Sequence, residues 1–171
     1  MDGETATSTP VAIADDLPSE VREAIDALRP SYPTAEALLL PALHLAQQHS
    51  GGWLPDAAIQ AVAAFLDLPP ARVYGVVTFY DLFHQRPVGR HRLRVCTNLP
   101  CALRGANEIL ATVRDELGVD EDEVTADGRC SFVHFECLGA CEQAPMMTVG
   151  DRYVGRLTPA KVRRVLKELD G

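Results

Sequence analysis

Cysteines are the residues of this chain best suited to chemistry, and all five lie in its second half. Cys96 and Cys101 are separated by four residues, Cys137 and Cys141 are separated by three, and 35 residues lie between the two pairs. Four thiolates are the ligand set of [2Fe–2S] and [4Fe–4S] clusters, and also of structural zinc. The two close pairs therefore predict a single metal centre.

The spacing of the cysteines favours an iron–sulfur cluster over zinc. Structural zinc sites most often use tight C-x2-C knuckles, and this chain has none. The absence of C-x-x-C also argues against a dithiol oxidoreductase, and the pattern differs from that of plant-type ferredoxins. Gly139 lets the backbone bend around inorganic sulfide and present its amides to it. Spacing alone leaves open the type of cluster and a zinc-stabilised interaction domain.

Other residues that could bind metals have ordinary structural interpretations. We expect Cys130 to be a packed thiol, because unligated cysteine commonly behaves as a small buried hydrophobe. The acidic run from Asp120 to Glu123 lacks the glycine and the ligand spacing of a calcium loop, so we interpret it as solvated surface. The histidines show no paired metal spacing and are expected in structural or surface positions: His44, His49, His84, His91 and His134.

Composition and charge exclude several classes of protein. Of the 171 residues, 47% are hydrophobic and 23% are charged, which is typical of a globular protein. The net charge of −8 argues against nucleic-acid binding, because that binding depends on cations that meet phosphates. The most apolar stretch, residues 37–45, is too short to span a membrane. No basic residue precedes Arg22, so we expect no targeting segment and a cytoplasmic location in which thiols stay reduced.

The hydrophobic periodicity of the sequence predicts the helices and strands of the chain. Residues 1–17 are polar and acidic and predict a flexible tail, and residues 18–86 predict a helical domain. Four helices are predicted there, over residues 18–29, 34–49, 55–66 and 69–74. The apolar stripes of these helices are expected to form a packed core.

The second half, residues 87–171, has a different pattern. Strands are predicted over residues 91–96, 131–135, 146–149 and 153–155, and helices over residues 106–117 and 158–169. Gly150 and Asp151 indicate a hairpin between the last two strands. This order predicts a small sheet covered by helices, with each cysteine pair at the point where a strand gives way to a loop. The fold class is therefore α+β.

Around the first cysteine pair the charge is locally reversed. Residues 86–104 contain no acidic residue but hold Arg86, Arg90, Arg92, Arg94 and Arg104. Cations near an anionic cluster favour the addition of an electron and so raise its reduction potential. The alternative interpretation is a solvated strand edge with charged positions.

The sequence around the cysteines resembles that of one family. Residues 96–105 read CTNLPCALRG, residues 136–141 read ECLGAC, and Ala144-Pro145-Met146 follows. Residues 52–55, 78–80 and 87–89 (GWLP, TFY and PVG) match as well. These runs are similar to those of the thioredoxin-like [2Fe–2S] subunit of respiratory NADH–quinone oxidoreductase (complex I), over about residues 18–170.

The resemblance implies a fold and a ligand set. It implies an N-terminal helical bundle that docks onto a partner, followed by a thioredoxin-like [2Fe–2S] ferredoxin domain. By position, the cluster ligands are Cys96, Cys101, Cys137 and Cys141. It also implies one-electron transfer within the NADH-oxidising module of the complex.

The resemblance also implies partners. FMN and NADH are expected on a flavin-bearing partner subunit, beside other peripheral-arm subunits, and this chain has neither G-x-G-x-x-G nor a P-loop. We expect contact with the membrane only through the complex, at the cytoplasmic face of the inner membrane. A homologous subunit occurs in soluble NAD-dependent formate dehydrogenases and NAD-reducing hydrogenases, and these stay as alternatives.

Overall fold

The computed structural model describes residues 16–169 of the chain. Two compact units make up the chain, the first ending at Pro87 and the second beginning at Val88. Residues 1–15 of the predicted tail lie outside the described residues. Leu17, which falls within the predicted tail, has only 1% of its surface exposed and belongs to the helical core. The packed part of the first unit therefore begins before Pro18.

The first unit is helical, as its periodicity predicts. Its helices are α1 (Ser19–Leu28), α2 (Ala35–His49), α3 (Asp56–Leu66) and α4 (Pro70–Phe79), with a 3-10 turn at Arg29–Ser31. Thr34 caps α2, because its side chain accepts a hydrogen bond from the amide of Ala37 at 3.2 Å. The apolar faces of the four helices bury one core that includes Ile25, Leu43 and Val62.

Helix α4 is longer than predicted. The sequence pattern predicts its end at Tyr74, but the helix continues to Phe79. Val77 extends the buried face begun by Val73 by one more turn, and Gly75 between them does not break it. Burial of the apolar face therefore outweighs the low helix propensity of glycine.

The second unit is a mixed four-stranded sheet with helices, which confirms the predicted α+β class. Its strands are β1 (His91–Cys96), β2 (Cys130–Phe135), β3 (Met147–Val149) and β4 (Arg152–Val154). They lie in the order β2-β1-β3-β4, where β1 is parallel to β2 and the other neighbours are antiparallel. The helices are α5 (Leu99–Ala102), α6 (Ala106–Leu117) and α7 (Pro159–Glu168), and a 3-10 turn spans Cys141–Gln143.

The parallel pairing of β1 and β2 positions the cysteine segments. Two parallel strands need a crossover, which α6 supplies, and Gly118 ends that helix with a left-handed φ of 66°. The register places Cys96 opposite Phe135, so the chain leaves both strands at the same edge of the sheet. Among residues 16–169, no helix is long and apolar enough to cross a membrane.

Candidate metal centre

The first ligand loop, residues 96–104, joins β1 to α6. Cys96 is the last residue of β1, and its amide donates a hydrogen bond to the carbonyl of Met146 at 3.1 Å. Cys101 lies in the short helix α5, which Asn98 caps by accepting from the amide of Leu99 at 2.9 Å. Both cysteines are buried, with 2% and 1% of their surface exposed.

Helix α5 is absent from the sequence-based prediction, which has a loop at these residues. A signal for the helix is present, because Asn98 is a favoured cap residue and Pro100 stands in the first turn. Four residues are too few to show a periodic apolar pattern, so periodicity gives no indication of the helix.

The second ligand loop, residues 136–146, follows β2 and has no regular structure apart from its 3-10 turn. Cys137 and Cys141 are both exposed, and their sulfur atoms are 3.6 Å apart. Two thiolates on one tetrahedral metal ion with bonds of about 2.3 Å are about 3.8 Å apart. The spacing of this pair therefore fits two ligands of one iron. Gly139 between them has a φ of 80°, which favours glycine.

Further hydrogen bonds tie the first loop to the second loop and to the end of β2 that leads into it. The amide of Thr97 donates to the carbonyl of Phe135 at 2.9 Å, which extends the ladder between β1 and β2. The side-chain amide of Asn98 donates to a carboxylate oxygen of Glu136 at 2.9 Å. The Nε of Arg104 donates to the carbonyl of Ala144 at 3.0 Å. The loops are thus fixed to each other on both sides of the cysteines.

A third segment, residues 155–157, contacts the second loop. The amide of Arg156 donates to the carbonyl of Gln143 at 2.6 Å, and the amide of Leu157 donates to that of Pro145 at 2.9 Å. A Cβ atom at Gly155 would lie 2.4 Å from the Cβ of Gln143, so only glycine fits there. Sequence patterns do not reveal this role of Gly155, because the contact joins segments that are distant along the chain.

The electrostatics of the four thiols reflect their closeness. Burial, followed by a hydrogen bond with Cys96, raises the pKa of Cys101 to about 11. A hydrogen bond with Cys137, followed by burial, raises the pKa of Cys141. The charge of a cysteine in the other pair also raises each pKa. Cys141 has this effect on Cys101, and Cys96 has it on Cys141. A bound cationic centre would favour the thiolate form of cysteines gathered in this way.

The arrangement of the cysteines in two pairs fits a two-iron cluster. Within the described range, 16–169, no three His, Cys, Asp or Glu side chains are grouped closely enough to hold one metal ion. The cysteines form two pairs instead, and a [2Fe–2S] cluster takes four thiolates divided between two irons. No disulfide bond joins any of the cysteines within residues 16–169, which leaves the four thiols available as ligands.

The fifth cysteine lies elsewhere. Cys130 begins β2 at the opposite end of that strand from the second ligand loop, has 1% of its surface exposed and belongs to the sheet core. The histidines have structural surroundings as well. His44 packs against Phe83 with ring centroids 5.0 Å apart, and His49 and His134 face the carboxylates of Glu20 and Glu121.

The arginines of residues 86–104 are placed differently from one another. Arg92 lies 3.7 Å from a carboxylate oxygen of Asp122. Arg94 donates to Thr148 at 3.1 Å and stacks over the ring of Phe135. Arg104 contacts the second ligand loop. Arg92 and Arg94 therefore belong to β1, whereas Arg104 contacts the loop that carries the second cysteine pair.

Comparison with known proteins gives a consistent family. The chain matches the thioredoxin-like [2Fe–2S] ferredoxin family over residues 25–170. It is 45% identical over 131 residues to the E-type subunit of NADH-quinone oxidoreductase from Rickettsia bellii, covering 77% of this chain and 78% of that protein. It is 40% identical over 147 residues to an E-type subunit of NADH-quinone oxidoreductase from Rhizobium meliloti, covering 86% and 87%.

A solved structure has a similar fold. The crystal structure of an NAD+-reducing [NiFe]-hydrogenase in the H2-reduced state superposes with a TM-score of 0.67 at 23% identity. The superposition covers 77% of this chain and 22% of the much longer hydrogenase chain. At this identity the similarity concerns the fold.

Proposed function

The chain belongs to the thioredoxin-like [2Fe–2S] ferredoxin family, and on that premise we propose that it carries single electrons in the NADH-oxidising module of an NADH–quinone oxidoreductase. When bound, a [2Fe–2S] cluster accepts or donates one electron. The relatives named as E-type subunits of that enzyme, at 45% and 40% identity, support the assignment.

The proposed ligands are Cys96, Cys101, Cys137 and Cys141. The observation that carries the proposal is the parallel pairing of β1 and β2, which brings both cysteine segments to one edge of the sheet. The 3.6 Å separation of the second pair of sulfurs adds to it. The chain supplies the thiolates, and the bonds between its two loops hold the pairs together.

NADH oxidation belongs, in this proposal, to a flavin-bearing partner subunit that holds FMN and NADH. Hydride transfer delivers two electrons together, whereas this chain accepts one, so a flavin must stand between them. The sequence has no dinucleotide-binding glycine motif and no P-loop, in keeping with that division of labour.

The helical unit, residues 18–86, is proposed to dock onto the flavin-bearing subunit, and the chain reaches the cytoplasmic face of the membrane only through the complex. Phe79 and Leu82 are large apolar residues that are 76% and 46% exposed at and beyond the end of α4, and we propose that the partner covers them. Phe79→Ser is expected to weaken co-purification with the partner. Tyr32→Ser, which changes an exposed aromatic residue elsewhere in this unit, is the matched control.

The test is anaerobic reduction of the purified, flavin-free chain, followed by visible absorption and electron paramagnetic resonance. Dithionite should reduce the chain, NADH alone should not, and addition of the flavin-bearing subunit should restore reduction by NADH. A chain that is silent in both spectra and carries zinc by metal analysis would instead be a zinc-stabilised domain. Co-purification with hydrogenase or formate dehydrogenase subunits would overturn the assignment to the quinone-reducing complex.

A further inference from the structure

Arg104 connects the two ligand loops beside one cysteine of each pair. It stands three residues after Cys101, and its amide donates to the carbonyl of Cys101 at 3.0 Å. Its side chain crosses to the carbonyl of Ala144, three residues after Cys141. A cationic side chain is therefore held by both loops.

Glu136 makes the corresponding contact with the opposite charge. It immediately precedes Cys137, and its carboxylate accepts a hydrogen bond from the side chain of Asn98 in the first loop at 2.9 Å. The second loop thus receives a cation near its end through Arg104 and contributes an anion at its start.

Neither charge is balanced by an ion pair within residues 16–169. Arg92, in the same basic stretch, lies instead close to Asp122. An unpaired charge that is fixed by a hydrogen bond acts on a neighbouring redox centre more strongly than a paired or mobile one.

We propose that Arg104 and Glu136 set the reduction potential of the cluster in opposite directions, Arg104 raising it and Glu136 lowering it. The inference rests on the proposed function. Reduction adds one electron to an anionic centre and forms or breaks no bond in the chain, so a nearby cation favours the step and a nearby carboxylate opposes it. The electron comes from the reduced flavin of the partner or, in the experiment, from dithionite.

The experiment is a potentiometric titration of the purified chain, followed by visible absorption and electron paramagnetic resonance. Arg104→Gln should lower the ratio of reduced to oxidised cluster at fixed potential by roughly threefold to tenfold. Arg104→Lys keeps the charge and should stay near the wild-type potential, whereas Glu136→Gln should raise the ratio. A tenfold change corresponds to a shift of 59 mV for a one-electron couple.

Arg163→Gln is the matched control, because it removes the same charge from the chain. Arg163 pairs with Glu116 at 2.7 Å, and Glu116 lies about 15 Å along α6 from Ala106, which packs beside the cysteines. Its potential should equal that of the wild type.

Equal potentials in the wild type, Arg104→Gln and Glu136→Gln would overturn the inference while the spectra of the cluster upheld the proposed function. If Arg104→Gln does not hold iron, the potential of Glu136→Gln decides, and a potential of Arg104→Lys clearly below that of the wild type also contradicts a role for the charge. A wild-type chain without a cluster signal would refute the proposed function itself.

Discussion

The two cysteine pairs meet at one edge of the sheet but are built differently. Cys96 and Cys101 are buried and lie on regular elements, the end of β1 and the helix α5. Cys137 and Cys141 are exposed and lie on an irregular segment after β2. The fold thus makes one pair part of its core and presents the other at the surface.

The buried pair and the exposed pair are suited to two different requirements of an electron carrier. In the proposed ligand set, the buried cysteines on regular elements keep the centre in place, since their positions are set by the packing of Ala106 and Met146 around them. The exposed cysteines of that set bring the centre within reach of a partner but depend on outside support. The second loop should therefore be the easier one to disturb.

The largest effect is expected from Gly155→Ala, which strikes the second loop alone. The added Cβ would lie 2.4 Å from the Cβ of Gln143 and 3.0 Å from its carbonyl oxygen, two residues after Cys141. Because part of the obstacle is backbone, the loop must shift, and we expect a loss of about 1–3 kcal/mol in the free energy of unfolding together with weakened iron binding. Chemical denaturation and iron analysis measure both.

Gly75→Ala is the control for that variant. A Cβ at Gly75 meets no atom within 4 Å, and the residue lies inside α4. This change should leave iron binding unaltered and stabilise α4 by about 0.5–1 kcal/mol. Full iron content and unchanged stability in Gly155→Ala would show that the second loop needs no such support.

An intermediate effect is expected at Asn98, where the two loops are joined. Asn98→Ala removes the cap of α5 and the bond to Glu136, so it should cost about 1 kcal/mol of stability. Asn98→Asp keeps the cap but sets a second carboxylate against Glu136, and it should be destabilised as well. Thr34→Ala, a lost cap in the helical unit, should leave iron binding unchanged. Wild-type stability and iron content in Asn98→Asp would mean that the loops are not coupled through this bond.

The framework of the fold is easier to predict from the sequence than these contacts are. The strand boundaries lie within one residue of those predicted, because β-branched and aromatic runs between turn residues are strong local signals. The parallel pairing of β1 with β2 does not follow from the pattern, since strand order depends on packing between distant segments. The same reason hides the role of Gly155, whose need for glycine comes from Gln143.

The candidate ligands follow from a resemblance and from spacing, and the structure adds what neither contains. Whether a cysteine pair is buried or exposed depends on tertiary packing, so the residue type alone does not predict it. The special place of Arg104 among five nearby arginines likewise depends on its contact with Ala144.

The smallest effect concerns pH and the strand that leads into the second loop. A hydrogen bond with Glu121, helped by the charges of Glu121, Glu136 and Asp122, raises the pKa of His134. Burial raises the pKa of Glu121, but the hydrogen bonds that Glu121 makes with His134 outweigh burial. The pKa of Glu121 is therefore lowered overall. The contribution of protonated His134 to the free energy of unfolding is thus complete below about pH 6.5, and it is lost as the pH rises through the raised pKa of His134. The Glu121 contribution is lost as pH falls through its lowered pKa.

The side chain of His134 is 59% exposed, so solvent screening limits the effect to a few tenths of a kcal/mol. Denaturation of the wild type and of His134→Gln at about pH 6 and about pH 8.5 measures it. The wild type should be the more stable at the lower pH, and the difference should vanish at the higher one. A difference that is the same at both values would assign it to packing instead of charge.

The most direct test of the four-cysteine centre is iron and sulfide analysis, with electron paramagnetic resonance of the reduced protein, for five single Cys→Ala variants. Alanine offers no oxygen to replace a lost thiolate, and circular dichroism confirms that each variant folds. We predict that Cys130→Ala keeps the wild-type iron content and spectrum, whereas alanine at Cys96, Cys101, Cys137 or Cys141 abolishes them. Loss of the cluster in folded Cys130→Ala, or a wild-type spectrum in any of the other four, would contradict the proposed ligand set.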